Sequence, residues 1–143
     1  MRMRVNSRIL LVEDDPTIVK TLTEFLKLEG FFVSNTAGQT DAIAFLEEHE
    51  RETALVLLDV SLAEGNGFSA CAEIKAKYDL PVIFLTASGD EYSVVTGLDL
   101  GADDYIGKPF RPRELVSRIR SVLRRCGKAH NIIELGDVTI DTA

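Results

Sequence analysis

Thiols are scarce in this chain. Cys71 and Cys126 are the two cysteines among 143 residues, too few for a disulfide framework. The charged start, residues 1–8, has no apolar stretch behind it that would make a secretory signal. A reduced, cytoplasmic setting is therefore expected, and Cys71, on an apolar helical stripe, reads as core packing. No run approaches the roughly 18 apolar residues of a spanning helix, so no membrane partner is expected. Histidine occurs only at His49 and His130, and neither falls near a strand end, so no chemistry is assigned to imidazole. Internal repeats, low-complexity segments and heptads are absent. So is an excess of basic charge: the net charge is −7. Residues 111–128 hold seven basic side chains against Glu114, so the rest of the chain is strongly acidic. An acidic body with one basic helix is a poor nucleic-acid surface, and the helix reads as a protein contact or a solvated face.

What the chain does contain is a regular alternation. Its length suits one domain burying about 68–70% of its unfolded surface. Apolar runs at 9–12, 54–58 and 82–85 are short and continuous, as in parallel strands buried on both faces. Strands are expected at about 8–13, 31–35, 54–59, 82–86 and 104–106. Helices are expected after Pro16, at about 39–49, after Gly67, at about 91–100, and after Pro112. Asp15-Pro16 reads as an N-cap followed by proline at the first helical position, and Gly30 as the stop. Five βα units with short connections predict an α/β fold, a doubly wound five-stranded parallel sheet. The wholly apolar strands belong in the centre, which gives the order 2-1-3-4-5 of flavodoxin-like folds. Residues 1–7 read as an extension and 8–127 as the domain. Residues 128–143, with strand signals at 132–135 and 138–140, read as a linker and the first piece of a further domain.

In that order the carboxyl ends of strands one and three are neighbours, and ligands bind at such an edge. Glu13 and Asp14 would face Asp59 there. Carboxylates this close repel one another, and a hard divalent cation removes the conflict. Mg²⁺, with Mn²⁺ as its substitute, suits two carboxylates and a backbone carbonyl, and it keeps several waters. Asp14, Asp59 and the Ser61 carbonyl are the expected direct ligands, with Glu13 acting through water. Asp59 is the candidate nucleophile for a phosphoryl group. Lys108 would supply a second positive charge and Thr86 a hydroxyl donor. Singly, each feature has a plain structural explanation: a helix cap, an Asx turn, a loop, a strand-end hydroxyl. Together they converge on one edge.

The stretches LLVEDDP, LLDVSL, FLTAS, GADDYIGKPF and RPRELVSRIRSVLRR resemble a response-regulator receiver domain of the OmpR/PhoB-like subfamily, over about residues 8–125. The resemblance implies that Asp59 accepts phosphate from a phosphohistidine on a sensor histidine kinase. It also implies Mg²⁺ on Glu13, Asp14 and the Ser61 carbonyl, Thr86 as switch hydroxyl, Tyr105 as switch aromatic and Lys108 as phosphate-binding lysine. A cis Lys108–Pro109 bond is a further implication. The tail ELGDVTID resembles the start of a winged-helix domain, so DNA would be bound only through that further domain. Some positions depart from the pattern: Ala63 replaces a usual proline, Glu64-Gly65-Asn66 differs from the common loop, and Val94 replaces a usual basic residue.

The expected switch moves Thr86 toward phosphate and Tyr105 into the space vacated, changing the face of the fourth helix, fifth strand and fifth helix. A homodimer formed on phosphorylation would use Asp99, Asp103, Asp104, Glu114, Arg118 and Arg120, pairing Asp104 with Arg118 and Asp99 with Arg120 across a two-fold axis. Such a domain catalyses only its own phosphorylation and dephosphorylation. The alternatives are a stand-alone receiver that docks on a protein, a Mg²⁺-dependent aspartyl-phosphate hydrolase, and a flavodoxin-like flavin carrier. The last two lack a cap insertion and a phosphate loop, respectively.

Overall fold

A computed structural model describes residues 8–62, 64–87, 95–96 and 99–126. The elements run β1 (Arg8–Val12), α1 (Pro16–Leu28), β2 (Phe32–Thr36), α2 (Gln39–His49), a 3-10 turn (Glu50–Glu52), β3 (Thr53–Asp59), α3 (Gly67–Lys77), β4 (Val82–Ala87), β5 (Asp104–Lys108) and a C-terminal helix (Pro112–Cys126). Ala63, Val94, most of the expected helix at 91–100 and everything after residue 126 lie outside the described residues. The sheet is parallel throughout, in the expected order β2-β1-β3-β4-β5. Among the described residues no helix is long and apolar enough to cross a membrane.

Strand periodicity divides the core in two. Ile9, Leu11, Leu55, Leu57, Ile83, Leu85 and Ile106 pack with α1 and the C-terminal helix, through Leu22, Leu26, Leu115 and Ile119. The alternate residues Leu10, Val12, Val56, Leu58, Val82 and Phe84 pack with α2 and α3, through Leu46, Cys71 and Ile74. Successive strand side chains point to opposite faces, so covering both faces requires the unbroken apolar runs read in β1, β3 and β4. Each fully buried Leu or Ile contributes about 1.5–3 kcal/mol.

The helix ends are built as their residues dictate. Asp15 caps α1 by accepting from the N–H groups of Thr17 (2.9 Å) and Ile18 (3.4 Å), with Pro16 at the first position. At the other end Gly30 has φ +98°, a conformation that a Cβ would strain. Gly30 N–H donates to the Lys27 carbonyl and Phe31 N–H to the Leu26 carbonyl, both at 3.0 Å, the paired closure of a Schellman motif. This closure uses Phe31, so β2 starts at Phe32, one residue later than expected. β5 runs on to Lys108 because Gly107 and Lys108 remain in register with Thr86 and Ala87 of β4.

Candidate functional site

Register brings the acidic residues to one edge. Glu13 extends β1, its N–H donating to the Thr36 carbonyl at 3.0 Å, and Asp59 ends β3 beside Leu85 of β4. Glu13 has the parity of Ile9 and Leu11, Asp59 that of Leu55 and Leu57, and Lys108 that of Ile106. All three therefore continue the face covered by α1 and the C-terminal helix. Glu13 is 1% exposed and Asp59 4%, while Asp14 is exposed. A carboxylate oxygen from each lies within 4.8 Å of the others. Lys108 Nζ is 3.2 Å from Asp59 Oδ2 and 3.5 Å from Glu13 Oε1.

The electrostatics show why these groups occur together. Burial pushes the Glu13 carboxyl up to about 7; the Asp15 N–H opposes this, and the neighbouring Asp59 adds to it. Burial works against the Lys108 ammonium, yet the Asp59 and Glu13 charges outweigh it and its pKa is raised. One lysine thus faces two buried carboxylates with a third beside them. That surplus of negative oxygen is the donor set of a hard cation such as Mg²⁺. Glu13, Asp14 and Asp59 fit the role.

The other expected residues fall around this cluster. Ser61 N–H donates to Asp59 Oδ1 at 3.0 Å, tying the following loop to the carboxylate. Thr86 is 3% exposed, and its Oγ1 is buried without a hydrogen-bond partner among the described residues. Such an orphan costs about 1–3 kcal/mol, and a phosphoryl oxygen would satisfy it. By parity Thr86 belongs with Val82 and Phe84, on the α2/α3 face. Tyr105, in register with Phe84, shares that side, is 36% exposed, and has the Arg118 guanidinium 5.9 Å from its ring centroid. The Lys108–Pro109 bond is cis.

The acidic and basic residues expected at a dimer face are partly engaged within one chain. Arg118 Nη1 donates to both Asp104 oxygens (3.0 and 3.1 Å), and its Nε and Nη2 reach Glu114 (3.2 and 3.1 Å). Arg120 lies 3.4 Å from Glu29. Asp103 sits at the opposite edge of the sheet, accepting from Val82 N–H (2.9 Å) and pairing with Lys75 (3.1 Å). Asp99 is exposed.

Asn35 was not anticipated from sequence. Its Nδ2 donates to the carbonyls of Leu11 (2.8 Å) and Glu13 (3.1 Å), holding the acidic turn against β2. An asparagine inside a strand, where propensity disfavours it, is the signal that could have marked it.

A five-stranded parallel sheet with buried acids and a lysine at its carboxyl edge defines a receiver, and the chain belongs to the response regulator receiver domain family, whose model matches residues 9–120. It is 41% identical over 138 residues to the DNA-binding response regulator MtrA of Mycolicibacterium smegmatis, covering 96% of this chain and 60% of the relative. It is 43% identical over 148 residues to the transcriptional regulatory protein GltR of Pseudomonas aeruginosa, covering 98% and 60%. These relatives bear out the OmpR/PhoB-like resemblance, and the chain spans about three-fifths of their length. Among solved structures, the receiver domain of the TMAO respiratory system response regulator TorR matches with a TM-score of 0.77 at 32% identity, covering 83% of this chain and 98% of that one.

Proposed function

We propose that Asp59 is a phosphoacceptor, that a sensor histidine kinase is the donor, and that the phosphorylated chain controls transcription through an attached DNA-binding domain. The observation that carries this reading is the position of Asp59: buried at the end of β3, in contact with Lys108 and grouped with Glu13 and Asp14. An Asp59 carboxylate oxygen forms the new bond to phosphorus as the bond from phosphorus to the imidazole nitrogen breaks, and the imidazole leaves with that electron pair. Lys108 offsets charge on the phosphoryl oxygens and Thr86 donates to one of them. Mg²⁺, or Mn²⁺ in its place, held by Glu13, Asp14, Asp59 and the Ser61 carbonyl, would supply further charge neutralisation.

The names of the relatives support the attached domain, with residues 8–127 as receiver and 128–143 as the linker and beginning of that domain. Tyr105, exposed on the same side of the sheet as the buried Thr86 hydroxyl and in register with Phe84, supports the switch. Phosphorylation would draw Thr86 toward the phosphoryl group, let Tyr105 turn inward, and favour a homodimer through the face that includes Asp99, Asp104, Glu114 and Arg118. Asp103 and Arg120 contribute less to it, being held at the opposite sheet edge and at Glu29. Intact mass after incubation with Mg²⁺ and acetyl phosphate tests the assignment. One phosphate-sized, Mg²⁺-dependent increment is expected, and Asp59→Asn should abolish it. The same increment in the variant would move the acceptor elsewhere.

A further inference from the structure

The loop after β3 is held by a neighbouring helix as well as by its own residues. α2 has Gly38 at its N-cap, where no side chain can cap it. Glu64 supplies the cap across space: one carboxylate oxygen accepts from Thr40 N–H and the other from the Thr40 hydroxyl, both at 2.9 Å. The Glu64 carbonyl also accepts from Gln39 N–H at 3.1 Å. Gln39 returns the contact, its Oε1 accepting from Asn66 N–H (3.1 Å) and its Nε2 donating to Ser69 Oγ (3.0 Å) and Glu73 Oε1 (3.3 Å).

Glycines make this closeness feasible. A Cβ at Gly38 would meet Glu64 Oε1 at 2.5 Å, and one at Gly65, where φ is +88°, would meet Gln39 Cβ at 2.5 Å. A Cβ at Gly67 would collide with the Asp59 carbonyl. The same loop reaches the acidic site. Ser61 N–H is bonded to Asp59 Oδ1 (3.0 Å), and Gly67 N–H to the Val60 carbonyl (3.1 Å). Glu64 and Ser61 thus belong to one loop, and slack at one would loosen the segment that carries the other.

We propose that Gln39 and Glu64 clamp the loop after β3 in the position that cation binding requires, which makes them positioning residues for the acidic site. The proposal rests on the reading of Glu13, Asp14 and Asp59 as a Mg²⁺ site. Partners that stand behind metal ligands typically change affinity 10–100-fold, and a clamp acting through backbone belongs at the low end, about tenfold.

The test compares wild type, Glu64→Ala and Glu64→Gln in the full chain. The Gln side chain keeps an oxygen for Thr40 N–H and an amide for the hydroxyl, so it should rescue. Amide exchange without metal reads the loop directly, and an MgCl₂ titration followed by amide chemical shifts reads affinity. Faster exchange at Ser61 and Gly67 is expected in Glu64→Ala, with Mg²⁺ affinity about tenfold weaker and both values near wild type in Glu64→Gln. Exchange altered only at the start of α2, with Mg²⁺ affinity unchanged, would overturn the clamp and leave Glu64 as a helix cap. Failure of wild type itself to bind Mg²⁺ would remove the cation site, and the proposal with it. Should Glu64→Ala not fold, Thr40→Val, which deletes one hydrogen bond, is expected to weaken Mg²⁺ binding about threefold, and unchanged affinity would again overturn the clamp.

Discussion

Replacing Thr86 with valine should stabilise the unphosphorylated protein while impairing the proposed switch. The Thr86 Oγ1 is buried and makes no hydrogen bond among the described residues, so the folded state carries the desolvation cost of an idle hydroxyl, about 1–3 kcal/mol. Valine retains the branched shape and the strand preference while removing that polar atom. Shape mismatch and the packing around the new methyl take back part of the gain, leaving a net of about 1 kcal/mol. For a domain of this size that is a rise of roughly 3–6 °C in Tm. Urea titration is the better assay, with a higher midpoint and an unchanged slope expected. On phosphorylation the order should reverse, because wild type gains a charge-assisted hydrogen bond of about 1.5–3 kcal/mol that valine cannot make. A Thr86→Val protein less stable than wild type without phosphate would refute the reasoning, since it would mean the hydroxyl already has a partner.

Three other outcomes are expected. Burial pushes the Cys71 thiol up to about 11 from 9.0, so the folded chain keeps a proton that the unfolded chain releases above pH 9. Stability should then fall as pH rises from about 9 to about 11, with a slope approaching 1.4 kcal/mol per pH unit. In a Cys126→Ser background, Cys71 should resist iodoacetamide at pH 8 until urea unfolds the chain, and prompt labelling of the folded protein would contradict its burial. Arg118→Glu places a third carboxylate against Asp104 and Glu114. Phosphate-dependent self-association in sedimentation should weaken about tenfold or more, and association equal to wild type would remove this side chain from the interface.

The features legible in the sequence were those written in contiguous residues. Continuous aliphatic runs in β1, β3 and β4 marked strands covered on both sides and so set the strand order, which then brought Glu13 and Asp14 to Asp59. Boundaries slipped where a neighbour decided them: the closure of α1 takes Phe31 from β2, and pairing with β4 carries β5 past Gly107. The complementary charges of Asp104 and Arg118 were legible, but not that the two side chains meet inside one chain. Glu64 and Thr40 stand 24 positions apart, and only the packing of α2 beside the loop brings them together. No pattern in the chain could have shown that Thr86 lacks a partner, because an unmet hydrogen bond is a property of the packed surroundings.

The alternation of side chains along the central strands has a consequence for how such a protein can diverge. Glu13, Asp59 and Lys108 project toward one layer of helices, whereas Thr86 and Tyr105 have the parity of the other. Thr86 is then the side chain proposed to serve both, meeting the phosphoryl group from the side that carries Tyr105. On the proposed switch, changes around Tyr105 could suit a new partner while Glu13, Asp59 and Lys108 stay in place.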